Sequence, residues 1–267
     1  MYGLAAVAFG VIALAWHDFN NWQQIRVFGT VPHREILLYI AAAIEIFGGV
    51  ALQFSRTARL GAATLGTIYF VFALLWVPLI AAKPLVYDRW ANFFEQFYLV
   101  SGALIVFASI DRGHSDRTAR LARFGYLSFG MCVVSFRLEQ LFYLSATADF
   151  VPKWIPPGQM FWAITTTIAF ALAAIALLSG RSALLASRLL TVMVIGFGLL
   201  VWLPAPFNDP HKLINWAGNA ENLAIAGAAW IVPDFLSQNR STSMATEGHA
   251  PSPLQASDLR TSGNHSI

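Results

Sequence analysis

Residues 74–95 read LLWVPLIAAKPLVYDRWANFFE, and residues 200–221 read LVWLPAPFNDPHKLINWAGNAE. Shifting the first stretch by 126 positions (200 − 74) aligns Leu74, Trp76, Pro78, Pro84, Trp90, Ala91 and Glu95 with Leu200, Trp202, Pro204, Pro210, Trp216, Ala217 and Glu221, seven identities in 22 positions without a gap. Two tryptophan pairs, two proline pairs and a glutamate pair exceed what apolar bias alone produces. The spacing predicts a chain made of two copies of one unit. Plain duplication would enlarge a bundle without keeping a buried acid in both copies, so the shared glutamate is the informative part.

Composition states what surrounds that unit. The chain has 267 residues, 57% of them hydrophobic and 12% charged, against roughly 25% charged residues in an ordinary soluble domain. A soluble enzyme, a DNA-binding domain and a secreted disulfide scaffold are excluded on that ground. The single cysteine, Cys132, rules out an intrachain disulfide, a CxxC pair and a multi-cysteine metal cluster. The formal charge of +3 reads as an orientation signal of a membrane protein rather than as a sign of an anionic partner.

Charges then punctuate the spans. Leu60 to Ala82 and Leu189 to Asn208 carry no charge, and neither does Trp154 to Gly180, where the Pro156-Pro157-Gly158 breaker places the helix start at Gln159. Met1–Trp16, Ile36–Ser55, Ala91–Ile110, Phe124–Ala148 and Ala217–Pro233 complete a set of eight apolar segments. Met1–Trp16 lacks a basic leader and is expected to remain as the first span. Irregular backbone cannot face lipid, so the expected fold class is all-α: a polytopic membrane bundle of eight transmembrane helices as two parallel four-helix repeats. The expected boundaries are 1–110 for the first repeat, 111–123 for a cytoplasmic linker, 124–236 for the second repeat and 237–267 for a disordered tail. Ten Lys and Arg residues, among them Arg56, Arg117 and Arg188, fall on one side and six, among them Arg26, Lys83 and Lys212, on the other. That bias predicts a cell-membrane protein with both termini in the cytoplasm.

An ionisable group in hydrocarbon costs about 2.5–3.5 kcal/mol on insertion scales and is a functional candidate by default. Glu45 falls near the middle of the second span. Glu95 and Glu221 lie about one and a half turns inside the outer ends of the fourth and eighth. Arg137 and Glu139 lie in the outer half of the fifth, and His17 with Asp18 closes the first. All are predicted to sit between the midplane and the outer rim. Tryptophan follows the same asymmetry: Trp16, Trp22, Trp76, Trp90, Trp154, Trp162, Trp202 and Trp216 map to the outer half or its loops, leaving Trp230 towards the cytoplasm. Aromatic belts normally occupy both interfaces, so part of this set is expected to line an outward cavity. The candidate ligand-binding or proton-relay residues are therefore His17, Glu45, Glu95, Arg137, Glu139 and Glu221, with Trp76, Trp90, Trp202 and Trp216. Two residues apart on a helix, Arg137 and Glu139 face different ways, so Arg137 is expected to pair with Glu221 or Glu95, and one arginine cannot neutralise three acids. A static network that merely locks the bundle is the competing reading.

No histidine falls within a span, so bis-histidine haem ligation and a zinc site both lack ligands. No glycine fingerprint follows a strand, and the mixed-sign loop Asp111–Arg123 makes a poor nucleic-acid site.

The stretch Thr147-Ala148-Asp149-Phe150-Val151-Pro152-Lys153-Trp154-Ile155-Pro156-Pro157-Gly158, followed by Phe161-Trp162-Ala163, resembles the connection between the first two helices of DoxX-like membrane proteins. Trp216-Ala217-Gly218-Asn219-Ala220-Glu221 and the residues to Gly227 resemble their fourth helix. The resemblance covers Phe124 to Asp234 and, through the repeat, extends more weakly to residues 1–110. It implies a four-helix membrane unit, here doubled, and a link to quinone-dependent oxidation of sulfur compounds. Gln140 and Phe170 stand where many such proteins carry histidine. Two expectations follow: a module that binds a small lipophilic or quinone-like ligand as a redox accessory subunit, with a membrane partner subunit; or a non-catalytic transport or scaffold protein.

Overall fold

The computed structural model describes residues 1–19, 23, 33–110 and 116–248, and these are helical with short connections and no strand. Trp22, Arg26, Arg112 and the tail beyond residue 248 lie outside the described residues. The helices are α1 (Tyr2–Trp16), α2 (Arg34–Ala51), α3 (Ala58–Ala82), α4 (Tyr87–Ile110) and α5 (Asp116–Phe142). They continue with α6 (Leu144–Phe150), α7 (Gln159–Ser179), α8 (Ala183–Phe197), α9 (Ala205–Asn208) and α10 (Leu213–Gly248).

Five stretches are long and apolar enough to cross a membrane: α3, α4, α5, α7 and the run from Ala183 to Asn208 that joins α8 to α9. The other three expected spans are helical but differ in kind. With 15 residues, α1 is about 22 Å long, short of a ~30 Å hydrocarbon layer. Arg34, Glu35 and Glu45 lie on α2, while α10 opens with Asn215, Asn219, Glu221 and Asn222 among its apolar residues. The outward faces are those of a lipid-contacting bundle. On α7, Ile164, Ile168, Leu172 and Ile175 are exposed at helical spacing, whereas Ala163, Phe170, Ala174 and Leu177 are buried.

Two boundaries differ from the sequence expectation. Helix α5 already starts at Asp116, so the expected linker 111–123 loses its second half to the helix. The chain from Ser237 is not a tail at once, because α10 runs on to Gly248. After Pro233 no glycine or proline occurs before Gly248, so nothing in that segment stops a helix already nucleated upstream.

Consecutive helices pack in a closed ring: α1 on α2, α2 on α3, α3 on α4, α4 on α5, α5 on α7, α7 on α8, α8 on α10 and α10 back on α1. Helix α4 also touches α10 across the middle. Small residues permit these approaches, as is usual where lipid supplies no hydrophobic drive between helices. A Cβ at Gly10 would stand 2.6 Å from the Ala42 carbonyl oxygen, and one at Gly227 2.5 Å from the Tyr2 nitrogen. At the central crossing, a Cβ on Gly102 would meet Ala228 Cβ at 3.0 Å.

The two sides of the ring are filled differently. Between α1, α2 and α3 the core is dense, with Tyr2, Phe9, Tyr69, Phe72 and Leu65 all buried. Phe19 from the α1–α2 connection is buried there too, its ring 5.7 Å from that of Phe72. On the other side, α5, α7, α8 and α10 leave a space between them.

Candidate functional site

That space is a cavity of about 660 Å³, within the range of small-molecule sites. Three polar residues on α4, Asp88, Asn92 and Glu95, line it at i, i+4 and i+7, so one stripe of the helix faces inward. Helix α5 contributes Phe136, Glu139 and Gln140, with Tyr143 just beyond its end, again at helical spacing. Trp162, Thr166 and Phe170 come from α7, and Phe197 and Trp202 from the end of α8 and the turn after it. Glu221, Asn222 and Ile225 on α10 close the far wall. Ile225 lies 12 residues beyond the start of α10 at Leu213, so the cavity reaches roughly 18 Å inward along that helix.

The walls are held by local chemistry. Trp162 Nε1 donates to the Pro156 carbonyl at 2.9 Å, fixing the first turn of α7 to the preceding loop. Gln159 Nε2 donates to the Val151 carbonyl at 2.6 Å, and Thr167 Oγ1 donates to Gln140 Oε1 at 3.1 Å, joining α7 to α5. Between Gly198 and Trp202 the helix widens to a π turn, with Leu203 N donating to the Gly198 carbonyl at 2.7 Å. Such turns recur at functional sites. The Trp202 carbonyl would normally bond the nitrogen four residues on, which is Pro206 and has no N–H. Asn219 Nδ2 on α10 supplies the missing donor at 2.5 Å. Gly218, one residue earlier, lets the Trp202 ring lie against α10, since a Cβ there would fall inside that ring.

Four carboxylates therefore line one space: Asp88, Glu95, Glu139 and Glu221. Glu139 is near enough to both Asp88 and Glu221 for their charges to act on one another. Among the described lining residues none is Lys, Arg or His. The aromatic rings form two sets, one in which Phe136 and Phe170 lie 5.8 Å apart and Phe170 and Phe197 6.3 Å apart, and a pair of Phe150 and Trp202 at 5.8 Å between centroids.

Of the ten residues singled out in the sequence, the structure brings Glu95, Glu139, Glu221 and Trp202 together in this cavity. Glu45 lies apart, wholly buried in the dense half, where Gln23 Nε2 donates to its Oε1 at 2.5 Å. Trp76 is buried and outside the cavity lining. Trp90 and Trp216 are exposed, their Nε1 atoms donating to the Pro84 and Pro210 carbonyls at 3.0 and 2.9 Å. His17 is exposed, its Nδ1 3.0 Å from the Tyr39 hydroxyl. Arg137 does not pair with Glu221 or Glu95: no carboxylate among the described residues lies within 4.0 Å of it. Two positions turn a side chain by about 200° on a helix, so Glu139 faces the cavity and Arg137 is not part of its lining.

Asp88, Asn92, Tyr143, Thr166 and Asn222 were not anticipated. The i, i+4, i+7 stripe of Asp88, Asn92 and Glu95 was the available signal. Gln140 and Phe170, the positions singled out by the DoxX resemblance, both line the cavity. A comparison of the chain with family models, with curated proteins and with solved structures found no match.

Proposed function

We propose that this is a multi-pass membrane protein of two DoxX-like four-helix units, with eight spans and both termini in the cytoplasm, whose cavity, walled by the second unit and by α4 of the first, binds a small lipophilic molecule. The helix bounds support the doubled unit. Adding 126 to Arg34, Ala58 and Tyr87, the starts of α2, α3 and α4, gives 160, 184 and 213, against observed starts at Gln159, Ala183 and Leu213. Adding it to Trp16 and Ala82, the ends of α1 and α3, gives 142 and 208, the ends of α5 and α9. The packing supports it as well, because α4 rests on α5 as α10 rests on α1. Gly102 meets Ala228, its own counterpart under the same shift, as residues on a two-fold axis do.

The observation that carries the binding role is the 660 Å³ space itself, lined by aromatic rings and a few polar groups. Glu45 corresponds to Ala171, so the buried acid of the dense side has no counterpart at that position in the other half. A buried aromatic cavity with a few placed polar groups is what a small-molecule site uses.

The test is direct. Protein purified in mild detergent is extracted with organic solvent, and the extract is examined for a quinone or another lipophile present in proportion to protein. Binding is then followed by quenching of tryptophan fluorescence, with Trp202→Phe as control. A stoichiometric lipophile, or saturable quenching lost in Trp202→Phe, is the expected result. No lipophile in the extract and no saturable quenching would leave a static scaffold as the better reading.

A further inference from the structure

The proposed binding role leaves the ligand's charge open, and the cavity lining speaks to it. Several hydrogen-bond donors in the wall are spent on the protein, while Gln140 Nε2, the Tyr143 hydroxyl and Trp202 Nε1 donate to no described residue. Asn92 donates to the Asp88 carbonyl at 2.6 Å, Thr147 to Tyr143 at 3.1 Å, and Trp162 to Pro156 at 2.9 Å. Thr166 donates to Ala163 at 3.1 Å and Asn222 to Val194 at 3.1 Å. Carboxylate acceptors remain open as well. Glu221 is part-buried and lines the cavity, and its carboxylate has no hydrogen bond or ion pair with any described residue. Glu139, on the facing helix α5, is likewise without one.

An anion would meet Glu139 and Glu221 with no Lys, Arg or His among the described lining residues to offset them. A ligand carrying positive charge satisfies both features of the wall. Its charge faces Glu139 and Glu221, and its apolar body lies on Phe136, Phe170, Phe197 and Trp202, whose ring faces attract cations. Carboxylates without a cation among the described lining residues, set among aromatic rings, are the reverse of an anion site.

We propose that the cavity selects a lipophilic organic cation, with Glu139 and Glu221 as its counter-charges. This rests on the reading of the cavity as a ligand site. Because cation and protons compete for the same carboxylates, binding weakens as pH falls. The titratable groups involved are Tyr87, Asp88 and Glu95 from α4, Glu139 from α5, Tyr143 at its end and Glu221 from α10, with none among the lining residues of α7 or α8.

The probes are tetraphenylphosphonium and tetraphenylborate, near-isosteric ions of opposite charge, with a neutral naphthoquinone as third ligand. Affinities for the full-length protein in detergent are measured by calorimetry at several pH values. Tetraphenylphosphonium is expected to bind at least about tenfold more tightly than tetraphenylborate, and the gap should narrow at acid pH. Glu139→Gln and Glu221→Gln, tested singly and checked for an unchanged thermal transition, should each weaken the cation by about tenfold and leave naphthoquinone within about twofold. Should either variant fail to fold, the pH series on the unaltered protein decides. Equal or tighter binding of the borate, or cation affinity that ignores pH, overturns the charge assignment. Naphthoquinone binding without cation binding also overturns it while sparing the ligand site. Failure of all three probes overturns the site itself.

Discussion

Glu45 and Glu221 show how one residue type takes two roles according to what surrounds it. Gln23 reaches in from the α1–α2 connection and satisfies one oxygen of Glu45, while both residues are buried to 2% exposure or less. Gln23→Leu removes that donor and leaves the carboxyl unsatisfied, at a cost of about 1–3 kcal/mol. Thermal unfolding in detergent should show the loss, and adding Glu45→Met should recover much of it, because the orphaned polar group is then gone. If the double variant is no more stable than Gln23→Leu, the contact is not what holds Glu45 in place. Gly218 sets the opposite kind of constraint, since any Cβ there enters the Trp202 ring. Gly218→Ala should displace that ring, lower stability by about 1–3 kcal/mol through overpacking, and reduce quenching by a bound lipophile. Wild-type quenching in Gly218→Ala would show that the ring position does not shape the cavity. At this scale the sequence was partly legible. Intramembrane acids stand out by cost alone, but their grouping depends on the face each helix turns inward. That is why Arg137 was assigned a partner it does not have.

The helices were the most legible elements, because a breaker such as Pro156-Pro157-Gly158 stops a helix whatever its tertiary context, and α7 begins at Gln159 accordingly. Less legible were ends set by absence. Helix α10 passes Pro233 and continues to Gly248 because no stop signal intervenes, although the composition there reads as tail. The turn Gly198–Trp202 was hidden for a different reason: its widening is stabilised by Asn219 from another helix, a contact no local window contains. Three helices share a lock in which a tryptophan N–H binds a proline carbonyl six residues earlier: Trp90 to Pro84, Trp162 to Pro156 and Trp216 to Pro210. Two of these are counterparts under the 126-residue shift. Trp90→Phe and Trp216→Phe should therefore lower stability by similar amounts, about 0.5–1.5 kcal/mol each for one lost hydrogen bond. Losses that differ by more than about 1.5 kcal/mol would argue against equivalent positions.

At the scale of the whole molecule, the ring of helices with α4 against α10 at its centre joins a densely packed side to one with a cavity. The proposed doubling rests on the pattern in residues 74–95 and 200–221, and an outward cavity was expected from the tryptophans and acids, but which of them share it depends on the face each helix turns inward. A topology consequence follows from the arginine bias: a reporter fused after Ile267 that is active only in the cytoplasm should be active, and a signal from the outer side would invert the proposed orientation. The central claim, that the space between α5, α7, α8 and α10 is a ligand site, is tested most directly by protection of an introduced thiol. In a Cys132→Ala background, Thr166→Cys places a thiol on the cavity wall and Ile168→Cys places one on the lipid-facing surface. Labelling by a small uncharged maleimide is timed with and without saturating tetraphenylphosphonium or naphthoquinone. At least one probe should slow labelling at residue 166 by about tenfold or more while leaving residue 168 unchanged; equal rates at residue 166 with and without both probes would contradict the claim.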